Sequence, residues 1–160
     1  AALRTWGAAA EMGLTMVVMY APGRPNAQAL QRIAALAQAY DPMPIAVDHC
    51  GWTGCDEGAQ IVGPAHQALA DYPNIHFKFT QINFNRLAER GVDACDFVEA
   101  MLDVFGPHRV MWGSDAGNTL MPYQDMVAQA LSATARLNPA TRQKVLHDNG
   151  RALFLRRRGS

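Results

Sequence analysis

Apolar residues along this chain fall into two alternating kinds of run. Leu14–Tyr20 (LTMVVMY), Ile45–His49 (IAVDH), Asn74–Thr80 (NIHFKFT) and the run opening at Val110 (VMWGS) are short and rich in β-branched, aromatic and long apolar residues, which predicts strands. Between them the apolar spacing changes to that of helices. Leu30, Ile33, Ala34 and Ala37 form one stripe between Asn26, a capping residue, and Tyr40. Val98, Met101, Leu102 and Phe105 form another, in a helix that Asp93 caps. Tyr123, Met126, Val127, Ala130 and Leu131 make an inward face for a helix over Pro122–Leu137. Shorter helices are predicted over Trp6–Met12, ended by Gly13, over Pro64–Ala70, and from Asn138 with Pro139 at the first position. Ala21-Pro22-Gly23, Cys50–Ile61 and Gln81–Arg90 read as loops, and Leu153, Phe154 and Leu155 are expected to pack the chain end onto the domain.

Strand then helix, four times over, predicts an α/β fold with a parallel sheet and right-handed crossovers. Residues 1–160 read as a single domain, long enough to bury a core. Such sheets carry their chemistry beyond the C-terminal ends of the strands. The residues standing there are Tyr20, then Asp48 and His49, then Lys78, Thr80, Gln81 and Asn83, and last Asp115.

Composition narrows the function classes. Apolar content is 49% and charged content 18%, so the chain is globular. Lys+Arg and Asp+Glu balance at 14 each, leaving no net field to draw nucleic acid or a membrane surface. The one basic run, Arg156–Arg158, reads as a solvated tail. No apolar run is long enough to span a bilayer, and the opening Ala1-Ala2-Leu3-Arg4 reads as the middle of a helix. Cys50, Cys55 and Cys95 are too few for a zinc ribbon and read as the reduced thiols of a cytoplasmic protein. Glycine-rich phosphate loops, serine-nucleophile elbows and HExxH are absent.

Candidate chemistry centres on Val110–Asn118 (VMWGSDAGN), a short strand running through Gly113 to a carboxylate on a glycine-containing loop. Gly113 leaves room beneath Asp115 for a ligand or another side chain; the competing reading is that Asp115 caps the next helix. Alternation with Ile45 and Val47 places His49 on their face and sends Asp48 to the opposite one, toward the helices, as a cap or ion-pair partner. Lys78, between two phenylalanines, must find a partner or reach water. His66, His76 and His108 read as surface residues.

Three segments carry a resemblance: Val47-Asp48-His49-Cys50-Gly51, Tyr72–Lys78 (YPNIHFK), and Phe105–Asp115 (FGPHRVMWGSD). With Asp148–Phe154 (DNGRALF) as a closing helix, they resemble the C-terminal half of the amidohydrolase-related family of (β/α)₈ TIM barrels. The resemblance implies that the four strands are the fifth to eighth of a barrel, with His49 on the sixth and Asp115 on the eighth. It also implies a first-strand His-X-His motif, which would lie before residue 1. Metal-binding members carry a fifth-strand histidine where this chain has Tyr20, a residue similar to the tyrosine of metal-independent lactone hydrolases in the family.

The function so implied is hydrolysis of a lactone or similar carbonyl compound without a cofactor. Asp115 would act as general base, and His49 and Tyr20 would stabilise the oxyanion. Lys78 or Arg86 would grip a substrate carboxylate, with Asn83 and Asn118 orienting neutral oxygens. Two alternatives stand beside it. One is a metal-dependent hydrolase or decarboxylase, with a zinc-like divalent ion at His49 and Asp115. The other is a non-catalytic half-barrel that self-associates, burying Val17, Val47, Phe77 and Met111. The expected partners are a small-molecule substrate and either a second copy or a missing N-terminal half.

Overall fold

The computed structural model describes residues 2–20, 26–54 and 60–155. The expected loop at Ala21–Gly23, most of the loop after Cys50 with Cys55, and the basic tail Arg156–Arg158 lie outside the described residues. Four strands, β1 (Met16–Val18), β2 (Ile45–Asp48), β3 (Ile75–Phe79) and β4 (Val110–Trp112), form one parallel sheet in chain order. The α-helices among the described residues are α1 (Ala2–Glu11), α2 (Ala27–Ala39), α3 (Pro64–Gln67), α4 (Gln81–Glu89), α5 (Ala94–Phe105), α6 (Tyr123–Ala133), α7 (Pro139–Gln143) and α8 (Asn149–Phe154). The expected caps form. Asn26 Oδ1 accepts from the Ala29 N–H, Asp93 Oδ1 from Cys95 and Asp96, and Asn138 Oδ1 from Thr141.

The two sheet faces are chemically unlike. Met16 and Val18, Ile45 and Val47, Ile75, Phe77 and Phe79, and Val110 and Trp112 share one face by register. All of these but Met16 belong to or pack against the main core, with Leu30, Ile33, Leu87, Phe97, Met101 and Phe105 of the helices. Val17, Ala46, Asp48, His76, Lys78 and Met111 occupy the other face. The expected interior set is therefore divided: Val47 and Phe77 lie in the helix-covered core, and only Val17 and Met111 are on the open face. Period-two alternation groups residues within a strand, but inter-strand register decides which groups meet, and Val47 pairs with Val18 rather than Val17.

Three local expectations are corrected. Gln81–Glu89 is a helix, not a loop. Asn83 at its first turn accepts the Thr80 N–H at 3.0 Å, and Phe84 and Leu87 bury against the core. Helix α6 stops at Ala133, where the Thr134 hydroxyl donates to the Ala130 carbonyl at 2.8 Å; Tyr123 and Leu131 are exposed. At the chain end only Leu153 is buried, against Ala46 and Met111 on the open face, while Phe154 and Leu155 are exposed. The Thr15 hydroxyl donates to the Leu153 carbonyl at 3.0 Å and ties α8 to the start of β1.

Candidate active site

Strand β2 ends at Asp48, and the chain then turns sharply. His49, Cys50, Gly51 and Trp52 have φ of 50°, 48°, 57° and 59°, four consecutive residues in left-handed backbone. Only Gly51 adopts this region without steric cost; each of the others costs about 1–2 kcal/mol, which the surroundings must offset. Alternation thus stops at Asp48, and that is why His49 does not follow Ile45 and Val47.

The turn is bonded from several sides. Asn83 Nδ2 donates to the His49 carbonyl at 2.9 Å, and the Trp52 indole donates to the Tyr20 carbonyl at 3.2 Å. The Gly51 carbonyl accepts from the Tyr20 hydroxyl and lies 2.8 Å from His66 Nε2. A side chain on Gly51 would collide with this arrangement, its Cβ 3.0 Å from His66 Nε2 and 3.2 Å from the Tyr20 hydroxyl.

The turn delivers the His49 ring to a buried position, 5% exposed, stacked on Trp52 at 4.7 Å between centroids. Its Nδ1 lies 2.8 Å from the Thr80 hydroxyl oxygen. That hydroxyl has one proton, and its competing acceptor, Asn83 Oδ1, is 3.5 Å away. If the hydroxyl donates to Nδ1, the ring proton stands on Nε2.

Asp115 lies three residues beyond the C-terminal end of β4, with φ 54°. Helix α6 begins only at Tyr123, so Asp115 does not cap it. Its carboxylate instead accepts from Asn118 Nδ2 at 3.1 Å and the Thr119 hydroxyl at 3.2 Å, while its carbonyl closes the turn to the N–H groups of Asn118 and Thr119. Asn118 therefore orients Asp115. On the open face below, Lys78 Nζ is 2.6 Å from Asp48 Oδ1. Asp48 is an ion-pair partner as expected, but on the open face and not toward the helices. The space above Gly113 is taken by Lys78, whose Cδ would lie 2.6 Å from a Cβ there.

Burial is the main influence on His49 and holds its pKa below 6.5; the Asp115 and Asp48 carboxylates oppose this and Lys78 adds to it. The ring binds its proton less readily folded than unfolded. The stability this confers is complete above about pH 6.5 and is lost as pH falls through the depressed folded value. The urea midpoint should be lower at about pH 5 than at about pH 7.5, by a smaller margin in His49→Asn. An equal margin in both proteins excludes His49 as the source.

Asp115, Asp48 and Lys78 thus all lie in electrostatic reach of the His49 ring. The other expected site residues are placed differently. The Tyr20 side chain packs on the helix-covered core and its hydroxyl is engaged by Gly51. Asn83 is fully buried, with both ends of its amide bonded to backbone. Arg86 is exposed on α4, away from that helix's buried side. His66, expected at the surface, is 2% exposed. Trp52, His66 and Thr119 were not among the expected site residues. The Thr80-x-x-Asn83 spacing, a capping-box pattern, was the legible sign of the clamp on the His49 turn.

For a metal, the donor set is short. Among the described residues no three His, Cys, Asp or Glu side chains come together as a metal-binding group. His49 and Asp115 are two donors, one fewer than the three protein ligands of a catalytic zinc site. These residues alone do not fit an ion.

A profile of the amidohydrolase family matches residues 1–156. The chain belongs to this family. No curated protein matches it. Solved structures do. An amidohydrolase from Burkholderia multivorans, solved with bound zinc, superimposes with a TM-score of 0.74 at 19% identity, over 95% of this chain and 56% of that one. A protein from Pseudomonas putida assigned as a 2-pyrone-4,6-dicarboxylic acid hydrolase gives 0.70 at 26% identity, over 91% and 53%. 2,6-Dihydroxybenzoate decarboxylase, solved with 2,6-dihydroxybenzoate, gives 0.67 at 14% identity, over 96% and 54%. This amidohydrolase-family chain is therefore similar to a little over half of each, as four parallel strand–helix units of a TIM-type barrel. Among the described residues no helix is long and apolar enough to cross a membrane.

Proposed function

We propose that this amidohydrolase-family chain is the catalytic half of a hydrolase that opens a lactone. The observation that carries the reading is a buried His49 ring with the Asp115 carboxylate, itself held by Asn118 and Thr119, in electrostatic reach of it beyond the C-terminal strand ends of one parallel sheet. Asp115 takes a proton from water as the water attacks the lactone carbonyl carbon. His49 Nε2–H donates to the carbonyl oxygen as negative charge develops there. The C–O bond to the ring oxygen then breaks, and the proton held by Asp115 passes to the departing oxygen. A substrate carboxylate meets Lys78, which it shares with Asp48. The likeness to the Pseudomonas putida protein supports a carboxylated lactone as substrate class.

The metal-dependent reading, as hydrolase or decarboxylase, draws support from the zinc-bound neighbour and the decarboxylase neighbour. In that reading His49 and Asp115 are two of the ligands and others come from beyond the described residues. The experiment that tests the proposal is hydrolysis of a panel of carboxylated lactones with and without a chelator. Turnover that survives the chelator is expected. Turnover that the chelator abolishes transfers the assignment to the metal-dependent reading, and no turnover of any lactone contradicts the lactone-hydrolase reading.

The open face needs a cover. Val17 is 47% exposed there, and β1 and β4 are the outer strands of the sheet among the described residues. Four further strand–helix units, the N-terminal half of a barrel, fit this need. Light scattering of the 160-residue chain should give a mass above its own 17.4 kDa, from a homodimer or from a retained N-terminal half. A monodisperse monomer of 17.4 kDa contradicts the expectation.

A further inference from the structure

His66 is buried in the short helix α3 and touches neither reacting group of the proposed site, yet it binds the segment that aims one of them. Its Nε2 is 2.8 Å from the Gly51 carbonyl oxygen. A carbonyl only accepts, so the ring proton sits on Nε2. The Tyr20 hydroxyl, from beyond β1, donates to the same oxygen. Two donors from separate parts of the chain thus converge on one carbonyl in the middle of the left-handed turn.

We propose that His66 is a positioning residue for His49. With Tyr20 it locks the Gly51 peptide, and through that peptide it holds the turn that brings His49 Nδ1 to Thr80. Three non-glycine residues in left-handed backbone do not hold themselves there. Asn83 secures the first carbonyl of the turn and His66 with Tyr20 secures the third. Leu30 closes the remaining side, 3.2 Å from where a Gly51 Cβ would be. The inference rests on the reading of His49 as a site residue. It assigns Tyr20 to the turn's support and not to substrate.

The test uses the full chain with ¹⁵N-labelled histidine, His49 being identified by the signal missing in His49→Asn. His66→Leu keeps bulk and removes the donor; His66→Gln returns an N–H at similar reach. His66→Leu should move or broaden the His49 ring-nitrogen signals. It should lower kcat by roughly 10–100-fold with little change in KM, and His66→Gln should recover both. If His66→Leu does not fold, Tyr20→Phe, which removes only the second donor, is read in the same way. His49 signals that stay unmoved in the variant that folds overturn the proposal, even where kcat falls. The nitrogen signals need no turnover, so this result stands apart from success or failure of the hydrolase reading.

Discussion

Asp115→Asn should lower lactone hydrolysis by about 10²–10⁴-fold, the range typical for loss of a general base. The amide has nearly the shape of the carboxylate but takes up no proton at neutral pH. It also keeps an oxygen for one of the two donors, Asn118 or Thr119, so the turn that carries it should persist. The loss should therefore lie in kcat, with an unchanged thermal midpoint separating it from unfolding. Wild-type turnover in this variant removes Asp115 from the chemistry. The helix-cap role is not available to it, because α6 starts well downstream of the turn it closes.

His49→Asn should cost roughly 10²–10³-fold, the usual value of one preorganised donor to a developing oxyanion. Burial favours the neutral ring, and with the Thr80 hydroxyl donating to Nδ1 its Nε2–H is in place before substrate arrives. Asparagine is shorter and loses both the stack on Trp52 and the reach to Thr80. Substrate affinity should change less than kcat, since the donor strengthens as charge develops in the transition state.

The fold was legible because each strand is a compact apolar run, the longer helices α2 and α5 carry an apolar stripe, and α2, α5 and α7 have a side-chain cap. The residues that meet at the site were less legible. Asp115 and His49 could be named from their places at strand ends. Tyr20 could be named too, but nothing local says that its hydroxyl turns to Gly51. That contact spans 31 positions of chain and depends on a left-handed turn. Only Gly51 in the turn has a type that signals such backbone; His49, Cys50 and Trp52 adopt it against their own preference. Asn83 was visible as a polar residue after β3, yet its amide is consumed by the backbone of Thr80 and His49. His66 carried no sign of burial, because a lone histidine on a four-residue helix has no stripe to belong to. The face of the sheet was misread for a simpler reason: alternation fixes which residues of one strand go together, not which set meets the helices.

Hydrolysis of one carboxylated lactone by wild type, Asp115→Asn, His49→Asn and the double variant, assayed side by side, tests the His49–Asp115 couple most directly. Groups that act as one unit lose their effect together. The expected result is that each single variant is strongly impaired and that His49→Asn costs little more once Asp115→Asn is in place. Near wild-type turnover in both single variants would contradict a hydrolytic site at His49 and Asp115.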